Sequence, residues 1–176
     1  MKNETVHVTL AKSPIGTLRF ASTEAGLAYV ELAHANGRGL RGWIDRCAAG
    51  AECCEAFAPN KEAVRQVMEF LEGKRTEFEL PLDLRGTSFQ RAVWDHLLEI
   101  PYGETRAYAD VARAVGRPKA VRAVGAANGS NPVPLVVPCH RVIASDGTLG
   151  GYGGGLEVKQ RLLAMERGRP GADRLL

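Results

Sequence analysis

The sequence predicts a chain of two unlike parts. Residues 1–84 read as an α/β domain built on a β-meander, and residues 85–170 as a mainly α domain holding a helix-turn-helix, with a tail over 171–176. Three observations point there. Val6, Val8 and Leu10 alternate with polar residues, the two-residue period of a half-buried strand. Thr87-Ser88-Phe89-Gln90 has the Thr-x-x-Gln spacing of a capping box, which opens a helix. Two short helix-like segments then flank Gly116-Arg117-Pro118, the pattern of two helices joined by a Gly-containing turn.

Taken in order, Ser13-Pro14-Ile15-Gly16 is a turn, and strands are expected over Thr17–Ala21 and Gly26–Leu32. Together with the first strand these form an antiparallel sheet with one face covered. Residues 34–59 carry no period and yield no element. Asn60 can cap a helix over Lys61–Leu71, whose stripe is Ala63, Val64, Val67, Met68 and Leu71, with Gly73 ending it. Thr76–Leu82 reads as a further strand, and Pro81–Gly86 as a linker. The capping box opens a helix to about Glu99, with Phe89, Val93, Trp94, Leu97 and Leu98 facing inward. After the turn at Pro101–Glu104, Thr105 can cap a helix ending at Val115. Pro118 can then sit in the first turn of another that runs to about Asn128. Leu149–Gly155 is a glycine-rich loop around Tyr152, without the Lys-Ser/Thr end of a phosphate loop. Leu156, Lys159, Leu162, Leu163 and Glu166 have the spacing of a last helix.

Composition narrows the function. The chain has 176 residues, 45% of them hydrophobic and enough for a packed core, and no apolar run long enough to span a membrane. The N-terminus lacks the apolar segment of a secretory signal, so a cytoplasmic protein is expected, or a nuclear one in a eukaryote. Cys47, Cys53, Cys54 and Cys139 show neither Cys-x-x-Cys spacing nor neighbouring histidines, so no metal and no cofactor is expected. The net charge of +3 is unevenly placed. Residues 1–84 hold ten Lys and Arg against twelve Asp and Glu, whereas residues 85–176 hold thirteen against eight. Arg106, Arg113, Arg117, Lys119 and Arg122 cluster with only Asp110 among them, which suits an anionic partner such as nucleic acid. In the second helix of the pair, Ala120, Ala123, Gly125, Ala126 and Ala127 are small, and Arg122 is the only long side chain at the middle of that surface. Such a face suits a minor-groove approach with one inserted residue better than major-groove readout. It equally suits a tight helix–helix contact with Arg122 in an ion pair.

The chemistry concentrates at Asn131-Pro-Val-Pro-Leu-Val-Val-Pro138-Cys139-His140-Arg141. Three prolines stiffen the approach to a lone thiol, and an imidazole follows. A cysteine nucleophile has to be held in place and partly ionised, and a neighbouring His serves that end. Adjacent residues on a strand face opposite ways, so either the chain turns at Pro138-Cys139 or a water relays the proton, the second being preferred. A lone Cys is otherwise more often a buried structural residue.

Several segments, in order and at compatible spacing, resemble the O6-alkylguanine-DNA alkyltransferase family. These are Ser88-Phe89-Gln90, Tyr102-Gly103-Glu104-Thr105, Arg122-Ala123-Val124-Gly125, Asn131-Pro132-Val133-Pro134, Pro138-Cys139-His140-Arg141-Val142 and Gly154-Gly155-Leu156. The resemblance implies a ribonuclease-H-like N-terminal sheet and a winged-helix-like C-terminal element. The implied activity is single-turnover transfer of the alkyl group from O6-alkylguanine in double-stranded DNA to Cys139. By the same resemblance His140 takes the thiol proton through water, Glu166 orients it, and Asn131 braces the turn. Tyr108 assists extrusion of the base and donates to guanine N3. Arg122 fills the vacated stack, with Arg117, Lys119, Ala123 and Gly125 at the DNA surface. Val142, Tyr152, Gly153 and Asn128 belong to the substrate pocket, the carbonyls of Cys139 and Val142 accepting from the exocyclic amine. Gly153 replaces a small polar residue of relatives, and Asn128 an apolar one. The implied protein is a monomer; cooperative binding along DNA and action on O4-alkylthymine stay open. A lesion sensor that binds without transfer is disfavoured by the retained cysteine, and a thiol hydrolase would need repeated turnover.

Overall fold

The computed structural model describes residues 4–35 and 37–168, so the expected tail over 171–176 lies outside the described residues. Strands β1 (Thr5–Ser13), β2 (Gly16–Thr23) and β3 (Gly26–Glu31) form the expected meander. The unassigned stretch supplies helix α1 (Gly39–Cys47) and strand β4 (Glu52–Glu55), which pairs parallel to β1 and makes the sheet mixed, in the order β3-β2-β1-β4. Its return crosses over through α1, as a parallel pairing requires.

That crossover explains a difference from the expected one-sided sheet. Val6, Ala21 and Ala28 pack against Leu40 and Trp43 of α1 on one face. Leu18, Phe20, Leu27 and Val30 pack on the other, against helix α2 (Lys61–Leu71) and the C-terminal half. Both faces are therefore covered, while Leu10, towards the far end of β1, is 56% exposed. Asn60 precedes α2 but makes no side-chain cap. Its amide instead accepts from the Ser22 hydroxyl and donates to the carbonyls of His7 and Ala56, joining β1, β2 and the turn before α2.

No strand forms over Thr76–Leu82; Leu82 alone makes a bridge, to Leu27. The β3 edge is instead tied down by neighbouring chain: Leu27 N–H donates to Pro81 O and Val30 N–H to Pro132 O. The second of these fixes β3 beside the segment that carries Cys139.

In the C-terminal half, α3 (Ser88–Leu97) opens on the full capping box of Thr87 and Gln90. Val93, Trp94 and Leu97 are its buried face, and Trp94 Nε1 donates to Ala127 O, 2.8 Å away. Thr105 does not cap the next helix. The chain first pairs Arg106–Ala107 (β5) parallel to Val142–Ile143 (β6), so α4 begins only at Tyr108 and runs to Ala114, with Asp110 accepting from Ala107 N–H. Gly116, at φ 72°, supplies the left-handed turn. Pro118 stays in the turn rather than in the helix, and α5 spans Val121–Gly129. Helix α6 (Leu156–Glu166) closes the core. One apolar cluster runs from the sheet through α2 and α3 to Val142 and Leu162, so the two halves share a core.

Candidate functional site

Pro132 to Arg141 are buried throughout. Asn131 holds both ends of the bend they make: its Nδ2 donates to Val137 O at 2.8 Å and its Oδ1 accepts from Val133 N–H at 2.9 Å. Between them Leu135 sits at φ 75°, a left-handed conformation that a branched side chain adopts only when its surroundings impose it.

The chain then turns, the alternative that the sequence reading ranked second. Cys139–Arg141 form a 3-10 turn, in which successive side chains point about 120° apart rather than alternating. Three consecutive residues thus reach different surroundings. Cys139, 5% exposed, lines a pocket of about 580 Å³, a volume suited to a small organic group. His140, fully buried, directs Nε2 to Glu166 Oε1 at 2.7 Å. Its Nδ1 is buried and has no hydrogen-bond partner among the described residues. Arg141 forks onto Glu166 through Nε and Nη2, both at 2.9 Å, and its Nη1 donates to Ile100 O.

The electrostatics separate these groups. Burial pushes the Cys139 thiol up, against the opposing pull of the Asn131 amide, the Lys159 charge and backbone N–H groups. The resting thiol is therefore protonated, not partly ionised as the sequence suggested, so a base is needed. Burial likewise lowers His140, outweighing the support of Glu166, and the ring rests neutral. Burial opposes ionisation of Glu166, but the hydrogen bonds and charges of His140 and Arg141 prevail and hold its carboxyl at about 2.

The pocket brings together most of the residues expected in it. Tyr108, Gly125, Asn128, Asn131, Tyr152 and Gly153 line it beside Cys139. Asn128 Nδ2 donates to Cys139 O at 3.3 Å. Gly153 is exposed, and a Cβ there would meet nothing within 4 Å, so space does not require glycine. Val142 is fully buried and does not line the pocket, and its carbonyl already accepts from Lys159 Nζ at 2.7 Å. Arg117, Lys119, Arg122 and Ala123 are exposed on the helix-turn-helix, outside the pocket. A Cβ at Gly125 would meet nothing within 4 Å, so this face of α5 is open to a large partner.

Sequence reasoning missed three contributors. Arg141 was read as part of a motif without a task. Lys159 is a fully buried ammonium donating to Val142 O and Leu149 O and, at 3.3 Å, to Gly151 O. Burial lowers it to about 8, Cys139 opposing. Its signal was a charge on the face that α6 shares with Leu162, Leu163 and Glu166. The N-terminal half also supplies pocket wall, through Tyr29, Val30 and Leu32 of β3 and its exit. Among the described residues no group of three or more His, Cys, Asp and Glu could hold a metal ion.

Known proteins resemble this chain over nearly its whole length. Residues 6–84 match the family profile described as 6-O-methylguanine DNA methyltransferase, ribonuclease-like domain. Residues 88–168 match that described as 6-O-methylguanine DNA methyltransferase, DNA binding domain. A methylated-DNA–protein-cysteine methyltransferase of Mycolicibacterium paratuberculosis is 49% identical over 156 residues, 88% of each chain. One of Methanosarcina barkeri is 42% identical over 161 residues, 92% of this chain and 97% of that one. The crystal structure of Mycobacterium tuberculosis OGT in complex with DNA superposes with a TM-score of 0.81 at 40% identity, over 96% of this chain and 98% of that one.

Proposed function

The chain belongs to the 6-O-methylguanine DNA methyltransferase family, and we propose that Cys139 is the residue to which it transfers the alkyl group. It is a DNA repair protein that acts by alkyl transfer, with a cysteine of the protein as acceptor. The observation that carries the assignment is the placing of Cys139: it alone of the four cysteines lines the pocket between α5 and the glycine-rich loop, with the His140–Glu166 pair beside it.

The proposed substrate is O6-alkylguanine in duplex DNA, swung out of the stack into that pocket. The open, small-residue face of α5 lets the duplex come close, and Arg122, exposed and in no ion pair among the described residues, enters the gap left by the base. Because Glu166 is ionised and accepts only, the neutral His140 carries its proton on Nε2 and offers Nδ1 as the base. A water between Nδ1 and the thiol relays the Cys139 proton. The sulfur attacks the alkyl carbon, the C–O6 bond breaks, and its electron pair leaves on guanine. Tyr108, half-buried in the pocket wall, donates a proton to that leaving group, which lowers the barrier to its departure. The product is a thioether, and none of the pocket residues is placed to cleave it, so each molecule reacts once.

Incubation with duplex DNA containing O6-methylguanine, followed by intact and peptide mass measurement, tests the assignment. One methyl group on the peptide containing Cys139 is the expected outcome. Lesion binding without a mass gain, or more than one turnover per molecule, overturns it. The same assay with O4-methylthymine defines how far the pocket admits a second base. No helix of the described residues is long and apolar enough to cross a membrane.

A further inference from the structure

Arg141 has no part in the alkyl-transfer scheme above, yet it is buried beside the thiol's turn and engaged at both ends. A carboxylate offers about four lone-pair sites on its two oxygens. Glu166 Oε1 accepts from His140 Nε2 at 2.7 Å and Arg141 Nη2 at 2.9 Å, and Oε2 accepts from Arg141 Nε at 2.9 Å and Gly103 N–H at 3.0 Å. The four donors fill the four sites. Gly103 can present its N–H this closely because it turns at φ 82°, and a Cβ there would stand 3.1 Å from Glu166 O. Arg141 is itself fixed at its other end: Nη1 donates to Ile100 O at 2.7 Å, and the guanidinium lies 5.7 Å over the Tyr102 ring.

We propose that Arg141 is a positioning residue for alkyl transfer, clamping Glu166 so that His140 keeps its proton on Nε2 and its Nδ1 stays free to take up the thiol proton. The inference rests on Cys139 being the acceptor. Two effects combine. Geometrically, a carboxylate held by a fork is fixed in orientation, so the imidazole bonded to it through Nε2 is fixed too, and Nδ1 stays the ring nitrogen without a partner among the described residues. Electrostatically, a permanent cation on Glu166 keeps that carboxylate ionised and disfavours a second proton on His140. The base is thus free when the thiol needs it.

Other charges around the ring do not supply this. From the same turn Cys139 rests as a neutral thiol, and from α6 Lys159 spends its donors on three backbone carbonyls. From the glycine-rich loop Tyr152 is neutral, and its buried hydroxyl has no hydrogen-bond partner among the described residues. The Arg141 guanidinium lies over the Tyr102 ring, and the Phe70 ring of α2 lies 6.1 Å from the imidazole. Lysine at 141 would keep a charge but not the fork.

The test compares the full-length protein with Arg141→Gln and Arg141→Lys. Nitrogen-15 NMR of the four histidines, without DNA, reads the tautomer and titration of His140. Transfer rate against pH with O6-methylguanine duplex reads the consequence. In the unaltered protein His140 is expected as the Nε2–H tautomer, titrating below the ordinary imidazole value. Arg141→Gln is expected to give mixed tautomers or a His140 that titrates at higher pH. Its rate should fall at least tenfold with DNA affinity unchanged, and the acidic limb of its profile should move up. Arg141→Lys should restore the limb but only part of the rate, and it carries the test alone if the glutamine variant does not fold. A folded variant with unaltered tautomer, limb and rate overturns the proposal. If the unaltered protein gains no methyl group on Cys139, the assignment of the acceptor fails instead, and the NMR result still decides what Arg141 does to His140.

Discussion

Replacing Asn131 by alanine is expected to weaken both the fold and the reaction, by amounts that the hydrogen bonds define. The bond to Val137 O is worth about 1 kcal/mol net, because that carbonyl keeps a second donor in Cys139 N–H. Val133 N–H has no such reserve: Val133 is fully buried and Asn131 Oδ1 is its partner, so its amide is left unsatisfied at about 1–3 kcal/mol. The total, about 2–4 kcal/mol, corresponds to a melting temperature lower by roughly 5–15 °C in a chain of this length. The bend that strains Leu135 at φ 75° then loses its brace, and displacement of the sulfur by about 1 Å lowers transfer by roughly 100-fold. Asn131→Asp separates the two effects. It keeps the acceptor for Val133 N–H, so it should melt closer to the unaltered protein, but it sets an anion beside the thiol and should react more slowly than the alanine variant. Thermal melting and the rate of methyl gain by intact mass read both quantities. An alanine variant that melts within 1 °C of the parent, or an aspartate variant that reacts faster than it, would refute the reasoning.

Arg122→Ala should lower transfer from duplex DNA by about 10–100-fold, the share of a flipping cost of a few kcal/mol that one inserted side chain can offset. It should leave transfer from the free modified base and the melting temperature nearly unchanged, since the residue is exposed; equal losses on both substrates would remove its role in the stack. Lys159→Met removes the donor shared by Val142 O, Leu149 O and Gly151 O, and with it the positive charge that lowers the Cys139 thiol. The pH midpoint for alkylation of Cys139 by iodoacetamide should move up, and a downward move counts against the assigned charge effect. Stability should also fall on acidification in two stages. His140 titrates lower folded than unfolded, so its contribution is present above pH 6.5 and fades as pH drops below that value. Glu166 is depressed from 4.5 to about 2, so its contribution fades between those values. Urea midpoints from pH 7 to 3 follow both, and Glu166→Gln should flatten the lower stage; a midpoint that rises on acidification contradicts both assignments.

Periodicity made the meander, α2 and α3 legible, because each buries a regular stripe. It failed where the stripe is short or tertiary contacts decide. Residues 34–59 hide α1, whose buried Leu40 and Trp43 are too few to show a period, and β4, whose burial pattern is almost wholly exposed. Thr76–Leu82 has strand-like residues but lies beside the β3 edge with a single bridge. At the site, the motif around Cys139 was readable, and Glu166 entered through family resemblance and not through spacing. The local turn was not readable, since strand logic put Cys139 and His140 on opposite faces and a 3-10 turn parts them by a third of a circle. Arg141 was legible only as a member of the motif, because nothing local to it names a partner. Its buried partners, the Glu166 carboxylate of α6 and the Ile100 carbonyl, lie 25 and 41 residues away and meet it only on folding.

A thiol that rests buried and protonated has to be reconciled with its proposed role as a nucleophile, and the chemistry does so. Intrinsic nucleophilicity of a thiolate rises with its pKa, with a Brønsted slope of about 0.4–0.5. A strongly acidified thiol would be ionised at rest, but it would be a weaker attacker and open to any electrophile reaching the pocket. Breaking an alkyl–oxygen bond to guanine is demanding, and one lost thiol ends the molecule's use. In the proposed mechanism the sulfur stays neutral until a nucleobase fills the pocket and excludes bulk water. Proton loss to His140 then yields a thiolate of high basicity beside the carbon it attacks. On this view burial of Cys139 is what reserves a single-use residue for the right substrate, and the clamped Glu166 behind His140 is what lets that residue be ionised on demand.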